Sequence, residues 1–191
     1  MKKIFLGLII LLAAYAGVYA QVDSELPPGE VVLFDGFEKG NYWIWAGFDY
    51  DQWGVHKISD GANISKDWAS EGSHSLELTM EPMDAASSKS AVWFYDGVND
   101  LSGAKYLVVD FYNPENYTYN IVAVMQATNE WKWCQASQNY LIPKGKHTVV
   151  FDFREHTEFL SDVKRISINS DNWELYPKES HIYIDNIRYI K

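Results

Sequence analysis

With 26 acidic against 16 basic side chains in 191 residues, this chain carries a net charge of −10. Nucleic acid and anionic membrane surfaces are therefore excluded as natural partners. Its single cysteine excludes an internal disulfide, so a domain of this size must rest on an apolar core.

Met1 to Ala20 opens with Lys2 and Lys3, continues in an apolar run from Ile4 to Ala14 and ends in Val18-Tyr19-Ala20, a small-residue cleavage site. That is the pattern of a bacterial secretory signal peptide, with Gln21 as the mature N-terminus and no membrane insertion after cleavage. The protein is expected to be secreted, periplasmic or at the cell surface. No cysteine follows the apolar run, which argues against a lipid anchor. Gln21 to Glu30, with Pro27-Pro28-Gly29, is predicted to be a flexible leader. The domain then runs from Val31 to Lys191.

Strand signals follow at regular spacing: Val31–Phe37, Tyr42–Phe48, Ser73–Met80, Ser90–Tyr95, Lys105–Tyr112, Tyr119–Gln126, Trp131–Ser137, His147–Phe153, Arg165–Asn169 and His181–Tyr189. Turn clusters such as Asp35-Gly36, Asn113-Pro114 and Pro143-Lys144-Gly145 separate them. Helical periodicity is weak and confined to Glu155–Val163. About ten short strands with so little helix predict an all-β fold, a sandwich or jelly roll.

Alternation sorts the faces. His147, Val149, Phe151 and Phe153 share one side of their strand. Leu76, Leu78 and Met80 oppose Ser75, Glu77 and Thr79, and Ile166 and Ile168 oppose Arg165, Ser167 and Asn169. In the last strand the apolar phase slips at Asp185-Asn186, which predicts a β-bulge there.

The most informative segment is Ala127 to Ser137. A β-branched run up to Gln126, the turn residues Thr128-Asn129-Glu130 and a second strand predict a hairpin. Trp131 and Trp133, two apart in a strand, leave the same face together with Gln135, and Gln126 stands opposite. Spacing alone also allows both indoles to be core. The other face carries Lys132 and the small Cys134 and Ala136, which suit a tight core and leave the tryptophan face open. Such an aromatic strip with an amide beside it suits the apolar face of a sugar ring and a neighbouring hydroxyl. The aromatic share of 16% agrees, although protein interfaces share it.

Trp173, among Ser170-Asp171-Asn172, is a candidate third platform, and Asn169 a candidate hydrogen-bonding partner. Asp49-Tyr50-Asp51-Gln52-Trp53 with Trp45 reads as a site loop or as a solvated turn over buried aromatics. Tyr95-Asp96 ends a strand that reaches toward the same cleft. Cys134 has no nearby helix or histidine to activate it. The five histidines lack zinc spacing, and no nucleophile-elbow or phosphate-loop motif occurs. Glu77 and Asp152 sit on polar strand faces, but nothing in the sequence pairs them as a glycosidase would require.

Phe34-Asp35-Gly36-Phe37-Glu38, Ala69-Ser70-Glu71-Gly72-Ser73-His74-Ser75-Leu76 and Tyr183-Ile184-Asp185-Asn186-Ile187 together resemble carbohydrate-binding modules of the galactose-binding-like jelly-roll type. Glu130-Trp131-Lys132-Trp133, followed by Pro143 to Asp152, is similar to modules attached to bacterial mannanases and β-glucanases. The resemblance covers Val31 to Lys191 and rests on the order of short motifs. It implies a two-sheet antiparallel jelly roll that binds polysaccharide, β-mannan or β-glucan, without catalysis. It also implies a structural Ca2+ held by Glu38, by Ser73 or His74 through backbone oxygen, and by Asp185. A solvated-acid reading of Glu38 and Asp185 stays open. Modules of this kind usually belong to larger enzymes. Two other readings remain: a self-associating cell-envelope or flagellar-sheath subunit, since the fold is known there, and a small polysaccharide-degrading enzyme.

Overall fold

The computed structural model describes residues 22–40, 42–49, 54–56, 61–80, 89–170 and 179–191. The expected signal peptide, Met1 to Ala20, and Trp53 and Trp173 lie outside them.

Thirteen strands are present among the described residues: β1 (Val31–Asp35), β2 (Trp43–Asp49), β3 (Gly54–His56), β4 (Ala62–Ser65), β5 (Ser75–Met80), β6 (Lys89–Asn99), β7 (Tyr106–Asn113), β8 (Tyr119–Ala127), β9 (Lys132–Gln135), β10 (Tyr140–Ile142), β11 (Gly145–Asp152), β12 (Val163–Ser170) and β13 (Ser180–Ile190). They form two antiparallel sheets, as the sequence predicts. One has the order β11-β7-β13-β5-β4 with β1 also on β13; the other runs β10-β8-β12-β6-β2-β3 with β9 also on β8. The weak helical signal becomes a 3-10 helix, Arg154–Asp162, that buries Leu160. Every strand predicted from sequence is found. β3, β4 and β10 were not foreseen, each being too short to show an alternation.

The core lies between the sheets and follows the alternation. Leu76, Leu78, Leu107, Val109, Phe111, Val149, Phe151, Ile182 and Ile184 come from the first sheet. Trp93, Tyr119, Ile121, Ala123, Met125, Ile166 and Ile168 meet them from the second. Burying each large apolar side chain contributes about 1.5–3 kcal/mol before conformational entropy is set against it. Cys134 is fully buried in this layer, and burial pushes its thiol pKa up, so it packs as a small apolar residue.

The predicted bulge is present. β13 pairs Asp185 with Asp110 and then Arg188 with Val108, so two residues oppose one, and Asn186 takes a left-handed φ of 49°. The bulge keeps Ile187 in the core while Asp185 and Arg188 face outward beside Asp110.

The leader departs from expectation, because it is docked. Val22 packs against the core. The Asp23 N–H donates to the Thr148 carbonyl (2.9 Å), and its carboxylate accepts from the Thr148 N–H (2.8 Å) and meets His147 Nδ1 (2.7 Å). At the far end the Lys191 N–H donates to the Glu30 carbonyl (3.0 Å) and Gly29 sits against Ile190. The segment thus crosses from β11, an edge strand, to β13. A Pro-Pro-Gly composition reads as flexible because the anchors are single residues at its two ends.

Candidate functional site

The β8–β9 hairpin closes on the pair Ala127↔Lys132, leaving Thr128 to Trp131 as a four-residue turn. Both turn ends are left-handed, Thr128 at φ 63° and Trp131 at φ 57°, and the Trp131 N–H returns to the Thr128 carbonyl (3.2 Å). Trp131 therefore lies outside the strand in which the sequence places it. A β-branched residue at positive φ is a strained position, held here by the hydrogen bond from the Thr128 N–H to the Asp162 carbonyl (2.8 Å).

Trp131 is 48% and Trp133 54% exposed, so neither is core. Cys134 and Ala136 are buried, as the small-residue face requires. Trp133 is the register partner of Gln126, and directly opposed residues in an antiparallel pair share a face. The sequence set Gln126 against Gln135; the register instead puts Val124 opposite Gln135. All four side chains nevertheless fall on the outer face. The Trp133 indole N–H donates to Gln135 Oε1 (3.2 Å), tying the platform to its amide.

The row continues across the sheet. Gln126 faces Arg165 on β12, and Arg165 faces Asp96 on β6. Arg165 is a residue that sequence reasoning placed on the polar face without assigning it to the site. Its register shifts between Val163 and Arg165, so Lys164 is an extra residue that sends Val163 inward and Arg165 outward. Its guanidinium donates to both Asp96 oxygens (2.6 and 2.9 Å) and lies 5.4 Å from the Trp131 ring centroid. That contact carries Trp131 onto the same face as Trp133, by turn geometry and a cation–π brace rather than by strand alternation.

Asn169 shares this face two rows along, opposite Val122 and Val92. It is 7% exposed, and its Oδ1 has no hydrogen-bond partner. The two acids weighed for catalysis are not brought together. Glu77 is on β5, beside Tyr183 (Oη donating, 3.1 Å) and His181 (3.0 Å), whereas Asp152 ends β11 in an ion pair with Arg154 that holds its carboxyl below the usual range.

The suggested calcium ligands have a different arrangement. Glu38 Oε1 accepts from the N–H groups of Ser73 (2.7 Å) and His74 (2.8 Å). Its Oε2 accepts from Ser73 Oγ (3.0 Å) and meets His74 Nδ1 (3.0 Å). The Ser73 N–H and the His74 ring hold the Glu38 carboxyl down at about 2. In a trans peptide the Ser73 carbonyl is anti to the His74 N–H, so it points away from Glu38. Asp185, fully buried, accepts at Oδ2 from the N–H groups of Ser70 (2.8 Å) and Glu71 (3.0 Å) and from Ser70 Oγ (3.1 Å), and at Oδ1 from the Asn186 N–H (2.6 Å). Calcium needs six to eight converging oxygens. These two carboxylates face hydrogen-bond donors at opposite ends of one turn, and this donor set does not fit the ion.

No protein-family model and no curated protein sequence matches the chain. Solved structures do. A carbohydrate-binding module of family 28, described as specific for non-crystalline cellulose, superposes with a TM-score of 0.59 at 20% identity, over 86% of this chain and 97% of that one. A family 11 module from Clostridium thermocellum, solved with a β-1,3-1,4-mixed-linked tetrasaccharide, gives 0.55 at 13% identity, over 86% and 97%. An exo-β-agarase gives 0.59 at 13% identity, over 82% of this chain and 24% of the enzyme. The chain has the two-sheet jelly-roll fold of these carbohydrate-binding modules.

Proposed function

We propose that this protein binds a neutral β-linked polysaccharide, a mannan or glucan, without catalysis, as an exported bacterial module. The observation that carries the reading is the pair of half-exposed indoles, Trp131 and Trp133, on one outer face with Gln126, Gln135 and Arg165. Two indoles offer flat apolar platforms to pyranose rings, and the flanking amides and the Arg165–Asp96 pair offer donors and acceptors to ring hydroxyls. Asn169, expected from the sequence to meet a hydroxyl, lies on the same face but is almost enclosed, and its Oδ1 is closed off from solvent, so it is no part of the exposed binding surface. Trp173 would be a third platform.

The structures superposed above support the reading by fold, and their ligands are theirs. Each platform contributes a few kcal/mol at most, so affinity falls on the order of micromolar to millimolar. Against catalysis stands the engagement of Asp96 by Arg165 and the separation of Glu77 from Asp152. Electrophoresis in gels containing mannan or glucan tests the proposal: retardation by one of them supports it. Free migration in all, with oligomers in size-exclusion chromatography, would favour the envelope-subunit reading. Release of reducing ends would favour an enzyme.

A further inference from the structure

The turn Ser70 to His74 is gripped from two sides. Glu38, from the turn after β1, holds the N–H groups of residues 73 and 74, and Asp185, from the β13 bulge, holds those of residues 70 and 71. Gly72 between them is left-handed (φ 63°), and a Cβ there would meet Glu38 Oε1 at 2.5 Å. Successive N–H groups around a left-handed residue form a concave anion seat, and each seat here already contains a carboxylate.

The same cluster contains a cation, Arg188. Arg188, on the far side of the bulge, donates through Nη1 (3.2 Å) and Nη2 (2.9 Å) to both oxygens of Asp110. Asp110 also accepts from Thr148 Oγ1 (2.8 Å), Asn186 Nδ2 (3.0 Å) and Ser70 Oγ (2.9 Å). The single Ser70 hydroxyl hydrogen is shared between Asp110 and Asp185, which links the two acids. Asp110 and Arg188 are almost enclosed, with 11% and 15% of their side chains exposed.

We infer that this domain closes its Ser70–His74 turn without calcium, through two carboxylates seated on backbone N–H groups, with Asp185 tied through Ser70 Oγ to an Asp110 that Arg188 neutralises. The bulge makes the arrangement: it turns Asp185 and Arg188 outward around Asn186, so acid and cation come from one strand. A calcium ion would have to displace N–H donors from Glu38 and Asp185, and those donors would then point at a cation. The inference concerns the turn and stands independently of what the aromatic face binds.

The test uses the full mature chain, purified without added metal. Its melting temperature is compared in excess EDTA and in millimolar calcium chloride, and its calcium content is measured by plasma mass spectrometry. The expected results are melting temperatures equal within about 1 °C, because an ion that does not bind the native state cannot shift the transition, and far less than one calcium per chain. A fall of about 5 °C or more with EDTA that calcium reverses, or about one calcium per chain, would overturn the inference. Arg188→Met should lower the melting temperature by at least about 5 °C in both solutions, since it strands Asp110 in a buried site. An unchanged transition would remove Arg188 from the account. If the variant fails to fold, the measurements on the unmodified chain still decide the role of calcium.

Discussion

The Arg165 guanidinium stands 5.4 Å from the Trp131 ring centroid while its fork is held by both oxygens of Asp96. Asp96 thereby positions the cation, and the cation positions an indole that no strand supports. The brace matters because Trp131 sits outside the strand ladder, at φ 57° in the turn, with 48% of its surface exposed. Arg165→Gln should weaken polysaccharide retention about three- to tenfold, the equivalent of one exposed cation–π contact and one hydroxyl contact. Asp96→Asn should weaken it less, because Arg165 remains. Titration calorimetry on the two variants checks the order; equal affinity in Arg165→Gln and the unmodified protein would contradict it.

Gly29 anchors the leader with φ 154°, and a Cβ there would lie 2.3 Å from the Lys191 carbonyl oxygen and 2.6 Å from Ile190 Cγ2. Neither neighbour is a flexible side-chain end free to withdraw, so Gly29→Ala must push the strap off β13. We expect a loss of about 1–3 kcal/mol, or roughly 3–10 °C in melting temperature. A thermal scan of that variant checks this, and unchanged stability would mean the leader is not held there.

The framework was legible because strand alternation reports burial directly. Leu76 and Leu78, or Ile166 and Ile168, alternate with polar residues in the very phase the two sheets use. Even the β13 bulge was visible, as the phase slip at Asp185-Asn186. β4 escaped because Ala62–Ser65 is short and half polar. The site was only partly legible. Alternation found the tryptophan face but assigned Trp131 to a strand, since nothing local announces that the turn needs two left-handed residues. Arg165 was hidden because its partners, Asp96, Gln126 and Trp131, are brought to it by pairing with β6, β8 and the β8–β9 turn. The resemblance put Glu38 and Asp185 forward as metal ligands, and the sequence could not counter it: acids are visible there, whereas the backbone N–H groups they hold, which every residue but proline carries, are not.

Acid should expose the Glu38 grip. Its carboxyl is held at about 2, below the roughly 4.3 of an unfolded glutamate, by the Ser73 N–H and His74. A depressed folded value means that the unfolded chain binds the proton first as pH falls. The contribution is therefore complete above the unfolded value and is lost progressively as pH drops through about 2. Urea midpoints of the unmodified protein and Glu38→Gln should differ at pH 6 and converge toward pH 2. A constant difference across that range would assign the effect of the substitution to something other than charge.

A neutral ligand carries no counterion to release, so salt should leave binding almost untouched. The dissociation constant for the retained polysaccharide should change less than about twofold between 50 and 500 mM sodium chloride. A change of an order of magnitude would point to a charged glycan at Arg165 instead.

The most direct measurement is gel retardation by β-mannan and β-glucan for Trp131→Ala and Trp133→Ala, with thermal unfolding of the same samples. Both indoles are about half exposed, so each substitution should leave the melting temperature within about 3 °C. Each should abolish retardation or weaken it at least about tenfold. Retardation that survives both substitutions at undiminished strength, in variants that remain folded, would contradict the assignment of this face as the sugar-binding surface.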